Sequence, residues 1–425
     1  MKQFLSKIWF SSSVWNVSKL LSANIIAQAI GILIYPVLTR MYAPEDFALL
    51  NLFTSIVGVL VIIATAEYQY AIVLPEEEKK ARSIVHVCLL TLAALFVLIV
   101  LSIPFAGPIA GLFNAPDLAR YWWLVPFSVL GLSIWNILNY WYIRRKAFTR
   151  ISGYQITQSV FSATGKIGLG ALSWLNGGLI IASVIAPLLS LLISACLAWK
   201  RQLRELCSFD GVQLKTVARE YANFPKFNLP RALVNMVGIA LPVWMLTPHF
   251  GLEKMGYLSL AMMAAFVPLN IIARACYQVM YQEIAEKVQR REPIQTMIIR
   301  FVVWTCAIMV VGLTAIYLFV PQLVSFLFGA EWIESAYIIR RLVPYLLLVP
   351  ICGTLCFLSD VFAKQKTAMW MEACYVAMMA LVLYWGIHID HFGTSICLYA
   401  WLGFTYLVIQ LLWLISLVMR YQRTL

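Results

Sequence analysis

Charge is scarce in this sequence. Asp and Glu number 19 and Lys and Arg 32 in 425 residues, so 12% of the chain is charged while 62% is hydrophobic. A soluble domain is about 25% charged, and the shortage excludes a water-soluble fold of this length. Residues 1–22 lack a compact apolar core followed by small residues, so no cleavable leader is expected. The four histidines form no HExxH pair, and neither a Walker loop nor a nucleophile elbow occurs. No enzyme and no cofactor is expected. "HIDHF", with His388, Asp390 and His391, reads as a solvated turn rather than a metal site. Eight of nine cysteines lie in apolar runs and Cys207 in a basic loop, which excludes a disulfide framework or zinc site. Cys352 and Cys356, one helical turn apart, read as packing.

What the chain has is apolar length. Mean hydropathy is +0.83, and continuous runs of about 20 residues follow one another, the length that crosses a bilayer as a helix. The runs do not alternate, so a β-barrel is excluded. The expectation is an all-α polytopic membrane protein with twelve spans, near 21–39, 46–66, 84–106, 121–143, 152–174, 179–199, 227–248, 256–280, 297–320, 337–359, 367–388 and 395–418. Alternate connections and the two ends collect 24 of the 32 Lys and Arg; the opposite connections hold five. That asymmetry places both termini in the cytoplasm. It accounts for most of the net charge of +13 without a nucleic-acid partner. Three basic residues remain inside spans: Lys166, Arg231 and Arg274.

The longest connection, near 200–226, is too short for a soluble domain and reads as a link between halves. Sliding Pro44–Lys80 by 208 positions onto Leu252–Val288 matches seven of 37 residues, Glu45, Leu50, Leu52, Val59, Ile63, Glu78 and Lys79. Six spans per half give both halves one orientation. The expectation is two six-helix lobes, 1–205 and 206–425, related by a pseudo-two-fold along the membrane normal, with a central cleft.

Four stretches resemble one family. "LTRMYAPEDFALLNLF" is similar to the Leu-Thr-Arg-x-Tyr-x-Pro-x-x-Phe-Gly pattern of the polysaccharide (O-antigen, Wzx-type) flippases, departing from it at Ala48. These belong to the multidrug/oligosaccharidyl-lipid/polysaccharide exporter superfamily. "YAIVLPEEEKKA" resembles that family's Ala-Ile-x-Leu-Pro and acidic cluster, "LNYWYIRRKAFTRISGYQITQS" its loop after span four, and "LVSFLFGAEWIESAYIIRRLVPYLL" its Phe-Gly-x-x-Trp start to span ten. Where the family often carries Arg-Tyr-Glu, this chain has Glu67, Tyr68 and Gln69, so a role for that basic residue does not transfer. The resemblance implies a polyprenyl-diphosphate-linked oligosaccharide as substrate, the bacterial inner membrane as location, and other glycan-assembly membrane proteins as candidate partners.

A diphosphate head group needs cations, because charge-assisted bonds to phosphate oxygens are the strong ones. The candidate substrate-binding residues are therefore Lys166, Arg231, Arg274 and Arg40, with Asn24 and Gln28 on one face of span one. Lys166 is expected about 14 residues into its span, where a lysine costs at least about 2.5–3.5 kcal/mol without water or a partner. A buried acid or snorkelling satisfies it equally. Arg231 and Arg274 lie nearer cytoplasmic ends, where snorkelling is easier. Arg40 suits a head group or the dipole of the helix end it follows, and Asn24 and Gln28 suit a cleft or helix packing. Glu67 lies one position from the repeat-mate of Arg274, so the two are candidate gating partners. Two rivals stay open: a multidrug or cation antiporter of the same superfamily, which needs embedded acids, and a glycan polymerase or ligase, which needs a large outer loop.

Overall fold

The computed structural model describes residues 26–172, 177–198, 206 and 211–423, and these are helical with no strand among them. We number the principal helices α1 (Ile26–Leu38), α2 (Pro44–Thr65), α3 (Glu78–Leu101), α4 (Val125–Arg144), α5 (Phe148–Ala171) and α6 (Gly178–Ala198). Then come α7 (Gly211–Glu220), α8 (Leu229–Gln289), α9 (Gln295–Phe328), α10 (Ile333–Leu355), α11 (Gln365–His388) and α12 (Phe392–Gln422). Nine helical runs among the described residues are long and apolar enough to cross a membrane. One of them, Phe224–Gln289, breaks at Gly251 and so holds two of the expected spans. Gly251 has φ 79° and ψ 168°, a region that disfavours every residue with a Cβ. Under the 208-residue offset it falls on Ala43, whose extended backbone (ψ 161°) starts α2. The break thus recurs at equivalent places. α1, a shorter apolar helix as described, and α5 fall on the other two expected spans; α5 is long enough but too polar to count among the nine.

The chain divides into two compact units, Met1–Ala240 and Leu241–Leu425. In the first, Phe53, Trp141, Tyr142 and Tyr154 are fully buried; in the second, Trp332 and Phe357. Outward faces stay apolar, as lipid requires: α9 exposes Val303, Trp304, Ile308, Val311 and Phe319.

Two expectations change. The link near 200–226 is not a plain loop, since it contains α7 and a single π turn over Phe224–Asn228. α7 buries Val217 and docks within the first unit. Tyr68 Oη donates to Ala218 O at 3.0 Å, and Lys80 pairs with Glu220 at 3.7 Å. A ring nitrogen of the buried His86 lies 2.7 Å from Leu206 O. An amphipathic helix rests its apolar stripe on a neighbour, and this one has such a surface on α3.

The second change concerns Lys166. The expected span was 152–174, but α5 starts at Phe148 and ends at Ala171. The reason lies at Arg150, whose guanidinium donates to Leu197 O near the end of α6 (3.1 Å). A residue expected in the loop thus helps hold the first turn of the helix. Lys166 therefore sits five residues, about 7.5 Å, from the far end of α5, farther across the membrane than the expected span gives.

Candidate functional site

α5 has two unlike faces. One packs on α6, where a methyl at Gly165 would lie 3.3 Å from Ala182 Cβ. Further along the same face, Gly153, Tyr154 and Thr157 meet Ser190, Ile193, Ser194 and Leu197 of α6 around a small cavity. At 100° per residue, Ser152, Gln155, Ser159, Ser162 and Lys166 fall on the opposite side of α5. Their spacing alternates three and four residues, a continuous polar stripe of about four turns on a helix the sequence marks as membrane-spanning.

The hydroxyls of α5 differ in how they are satisfied, and on the α6 side Tyr154 Oη is without a partner among the described residues. Thr157 and Thr164, off the stripe, return their hydroxyls to Gly153 O (2.6 Å) and Val160 O (2.8 Å). The buried Ser152 Oγ and Gln155 Oε1 have no partner. Ser159 and Ser162 are half-buried and form no side-chain bond among the described residues. A hydroxyl against hydrocarbon would take its own carbonyl, since an unmade bond there costs several kcal/mol. Such a stripe suits water or a polar ligand.

Lys166 closes the stripe. It is half-buried, and no acid among the described residues pairs with it. Its carbonyl accepts 2.7 Å from Tyr42 Oη, which ties the α1–α2 turn to α5. Burial, then the Asp46 carboxylate, push the Tyr42 pKa up to about 12, so this hydroxyl remains a donor at physiological pH. Gly170 makes the approach feasible: a methyl there would lie 2.8 Å from Met41 and 2.9 Å from the Tyr42 ring. In "GKIGLG", Gly165 serves α6 and Gly170 serves Tyr42, leaving Lys166 between them facing neither partner's apolar surface.

A family model described as polysaccharide biosynthesis protein matches residues 37–337, well over half the chain. The chain belongs to this family. No curated protein sequence matches it. Solved structures share the fold at low identity. A structure of the lipid II flippase MurJ in an inward closed conformation is 12% identical, with a TM-score of 0.69, covering 96% of this chain and 90% of that one. A multidrug resistance MATE family transporter of the MOP superfamily, inward-facing, is 15% identical with a TM-score of 0.63, covering 97% and 100%. A MOP superfamily transporter from Pyrococcus furiosus, described by a binding pocket of reverse polarity, is 15% identical with a TM-score of 0.64, covering 96% of each. The expected all-α, two-lobe membrane fold is the fold these structures have.

In this polysaccharide biosynthesis protein, two of the motifs quoted above meet. Arg144, from "YIRRKAF", donates to Ile72 O (3.3 Å), Pro75 O and Glu76 O (3.0 Å), all in "YAIVLPEEE". Arg145 pairs with Glu78 beside it. The motif "YAIVLPEEE" begins in a 3-10 turn, Tyr68–Val73, and the planar guanidinium collects one carbonyl of that turn and two of the residues that follow it. Arg144 was counted in the sequence only as a cytoplasmic charge. The acidic run Glu76–Glu78 is exposed, as a solvated helix start should be.

The other expected site residues fall as follows. Arg40 is exposed on the turn that reaches Lys166 through Tyr42, and Gln28 is half-buried on α1. Each has an interaction within the fold. Asn24 lies outside the described residues. Arg231 is exposed in the first turn of α8. Arg274 is exposed on the later part of α8, beside Ala273, whose carbonyl accepts from Thr354 Oγ1 at 3.3 Å. Lys166, Arg40, Arg231 and Glu67 belong to the first unit and Arg274 to the second. No group of His, Cys, Asp or Glu among the described residues has the makings of a metal site.

Glu67 is 5% exposed and stands in the left-handed region at φ 63°, directly after Ala66 at φ 46°. Burial pushes its carboxyl pKa up, and a hydrogen bond with Gln69 offsets part of this. A raised acid favours the protonated form in the folded chain, so stability falls as pH rises from the ordinary glutamate range. Glu67→Gln is expected to melt like the parent below about pH 4.3 and above the parent at neutral pH. Thermal melts across pH check this. A loss of stability in the variant at neutral pH would point instead to a charged partner for Glu67, and exchanging the charges of Glu67 and Arg274 would then test that pairing.

Proposed function

We propose that this protein flips a polyprenyl-diphosphate-linked oligosaccharide repeat unit from the cytoplasmic to the outer leaflet of the bacterial inner membrane. It works by alternating access in the assembly of O-antigen or a related polysaccharide, with both termini cytoplasmic. The observation that carries this is the Lys166 ammonium, without an acid partner among the described residues, at the end of a stripe of hydroxyls and an amide that have no partner among them either. A lipid tail stays in the bilayer while its polar head crosses. The stripe offers that head hydrogen bonds along the way, and Lys166 offers the diphosphate a charge-assisted contact. Arg40, on the turn tied to α5, adds a second.

The substrate gives and takes no covalent bond, so this is transport rather than catalysis. An inside-negative potential favours outward movement of negative charge by about 2.3 kcal/mol per charge per 100 mV, which requires no nucleotide. The antiporter reading needs acids within spans to hold a cation, whereas the stripe ends in a base.

The test is a strain deleted for this gene. It should lose surface glycan and accumulate its lipid-linked repeat units on the cytoplasmic side, inaccessible to a membrane-impermeant periodate-type label, and regain both on complementation. Unchanged surface glycan with normal repeat-unit orientation would remove the reading.

A further inference from the structure

The second unit contains a cluster of tyrosines that neither lipid anchoring nor the Lys166 stripe uses. Tyr345 is at the middle of α10, Tyr375 at the middle of α11, and Tyr399 and Tyr406 are on one face of α12. Tyrosines that anchor spans sit at the water interface; these do not. The Tyr345 and Tyr375 hydroxyls lie 3.4 Å apart. The rings of Tyr375 and Tyr406 stack, with centroids 4.2 Å apart and planes 18° apart. Tyr345 is held edge-on by Phe266 (5.3 Å) and Tyr399 (5.7 Å). Gly403 lies between Tyr399 and Tyr406 on the α12 face, and a methyl there would come within 2.8 Å of the Tyr345 ring. A small residue was needed to seat that ring.

The cluster faces inward yet is not closed. On α11, Tyr375 shares its side with the buried Met379, Leu383 and Gly386, while Trp370, Met378, Leu381 and Trp385 are exposed on the other side. Glu372, one turn before Tyr375, lies on the same inward side. Even so, Tyr345, Glu372, Tyr375 and Tyr406 all remain partly exposed. The Tyr345 hydroxyl is engaged by Tyr375 and Tyr399, whereas the Tyr406 hydroxyl has no hydrogen bond among the described residues.

We propose that Tyr345, Tyr375, Tyr406 and Glu372 form a sugar-binding platform, a subsite for a pyranose ring of the glycan head. A pyranose has an apolar C–H face and a hydroxyl edge. The stacked Tyr375–Tyr406 pair presents a flat aromatic surface to the first, and the tyrosine hydroxyls and the Glu372 carboxylate serve the second. The stacking and the fit at Gly403 hold the platform in shape before a ligand arrives, which lowers the ordering cost of binding. The proposal rests on the flippase reading for the identity of the ligand, but not for its chemistry.

The experiment uses the purified full-length protein in a deuterated detergent without a sugar head group, with two probes. Saturation-transfer NMR follows the methyl β-glycosides of glucose, galactose and N-acetylglucosamine, with sorbitol as the acyclic control. Phosphorus NMR follows inorganic pyrophosphate. At least one glycoside should receive saturation from aromatic protons, and sorbitol should not. Tyr406→Leu should weaken that binding by at least about five-fold, while Tyr406→Phe, which keeps the ring and removes one hydroxyl, should weaken it by no more than about three-fold. Tyr375→Phe should weaken it about three-fold by removing one hydroxyl, and it carries the test should Tyr406→Leu fail to fold. No transfer to any glycoside, or binding indifferent to Tyr406→Leu and Tyr375→Phe, would overturn the platform. Pyrophosphate binding lost in Lys166→Ala and kept in the tyrosine variants supports the flippase reading. Its absence in the parent would count against that reading while leaving the glycoside result to stand by itself.

Discussion

Lys166→Ala should make the protein more stable and less active at once. In the parent, the ammonium is half-buried in a membrane-spanning helix without an acid partner among the described residues. A lysine within a span costs at least about 2.5 kcal/mol at the bilayer centre and less toward the ends, so its removal should raise the melting temperature. Export should fall in the same variant. A bond from a charged donor is worth about 1.5–3 kcal/mol, which corresponds to about ten- to hundred-fold in the rate of moving a diphosphate head. Lys166→Arg should retain most of the activity, because the charge stays. Ser159→Ala and Ser162→Ala should fall between, with little change in stability, since neither hydroxyl is bonded among the described residues. Surface glycan and melting temperature, both scored at matched protein level, decide the matter. A drop in both would mark Lys166 as structural. No change in glycan would remove it from the path.

The opposite signs follow from what α5 lacks. Thr157 and Thr164 satisfy their hydroxyls on the carbonyls of α5 itself. The serines of the stripe sit on the side away from α6 and leave theirs open. Sequence reasoning found the lysine because it is the one residue of the stripe with a charge to explain. It missed Gln155, Ser159 and Ser162, although their three-and-four spacing from Lys166 was there to be counted. Single polar residues in an apolar helix draw no notice until the face they share is known, and that face is set by where α6 packs.

Elsewhere the same division holds. The number of spans was legible because bilayer thickness fixes run length. The start of α5 was not, because Arg150 reaches across to the end of α6. The link was legible as basic and polar but not as a docked helix, since its partners, Tyr68, Lys80 and His86, lie more than a hundred residues earlier. The tyrosine cluster was invisible for a plainer reason: its members are spread over three helices, from Tyr345 to Tyr406, and each alone resembles an anchor.

Arg144→Ala is expected to be the most destabilising of the substitutions considered, and Arg144→Lys should not rescue it. The guanidinium donates to three carbonyls of the turn that joins α2 to α3. Those carbonyls are acceptors only and cannot bond one another, and Pro75 among them is buried. Removing the donor leaves acceptors unmatched in a half-buried place, at a cost of about 3 kcal/mol when the bonds are taken as one coupled group rather than summed. A lysine offers one compact charge on a flexible stem and cannot span Ile72 and Glu76 together, whereas the planar fork can. Arg145 supplies an internal control. It is exposed and pairs with the exposed Glu78, so Arg145→Ala should cost less than about 1 kcal/mol. Melting of both variants in detergent, followed by the fraction remaining monodisperse after heating, separates the two neighbours. Equal losses would mean that the turn is held by charge alone. A larger loss at Arg144 than at Arg145 would mean that two motifs far apart in sequence are conjoined by backbone recognition, with Arg144 a positioning residue for the start of α3 and no part of the substrate path.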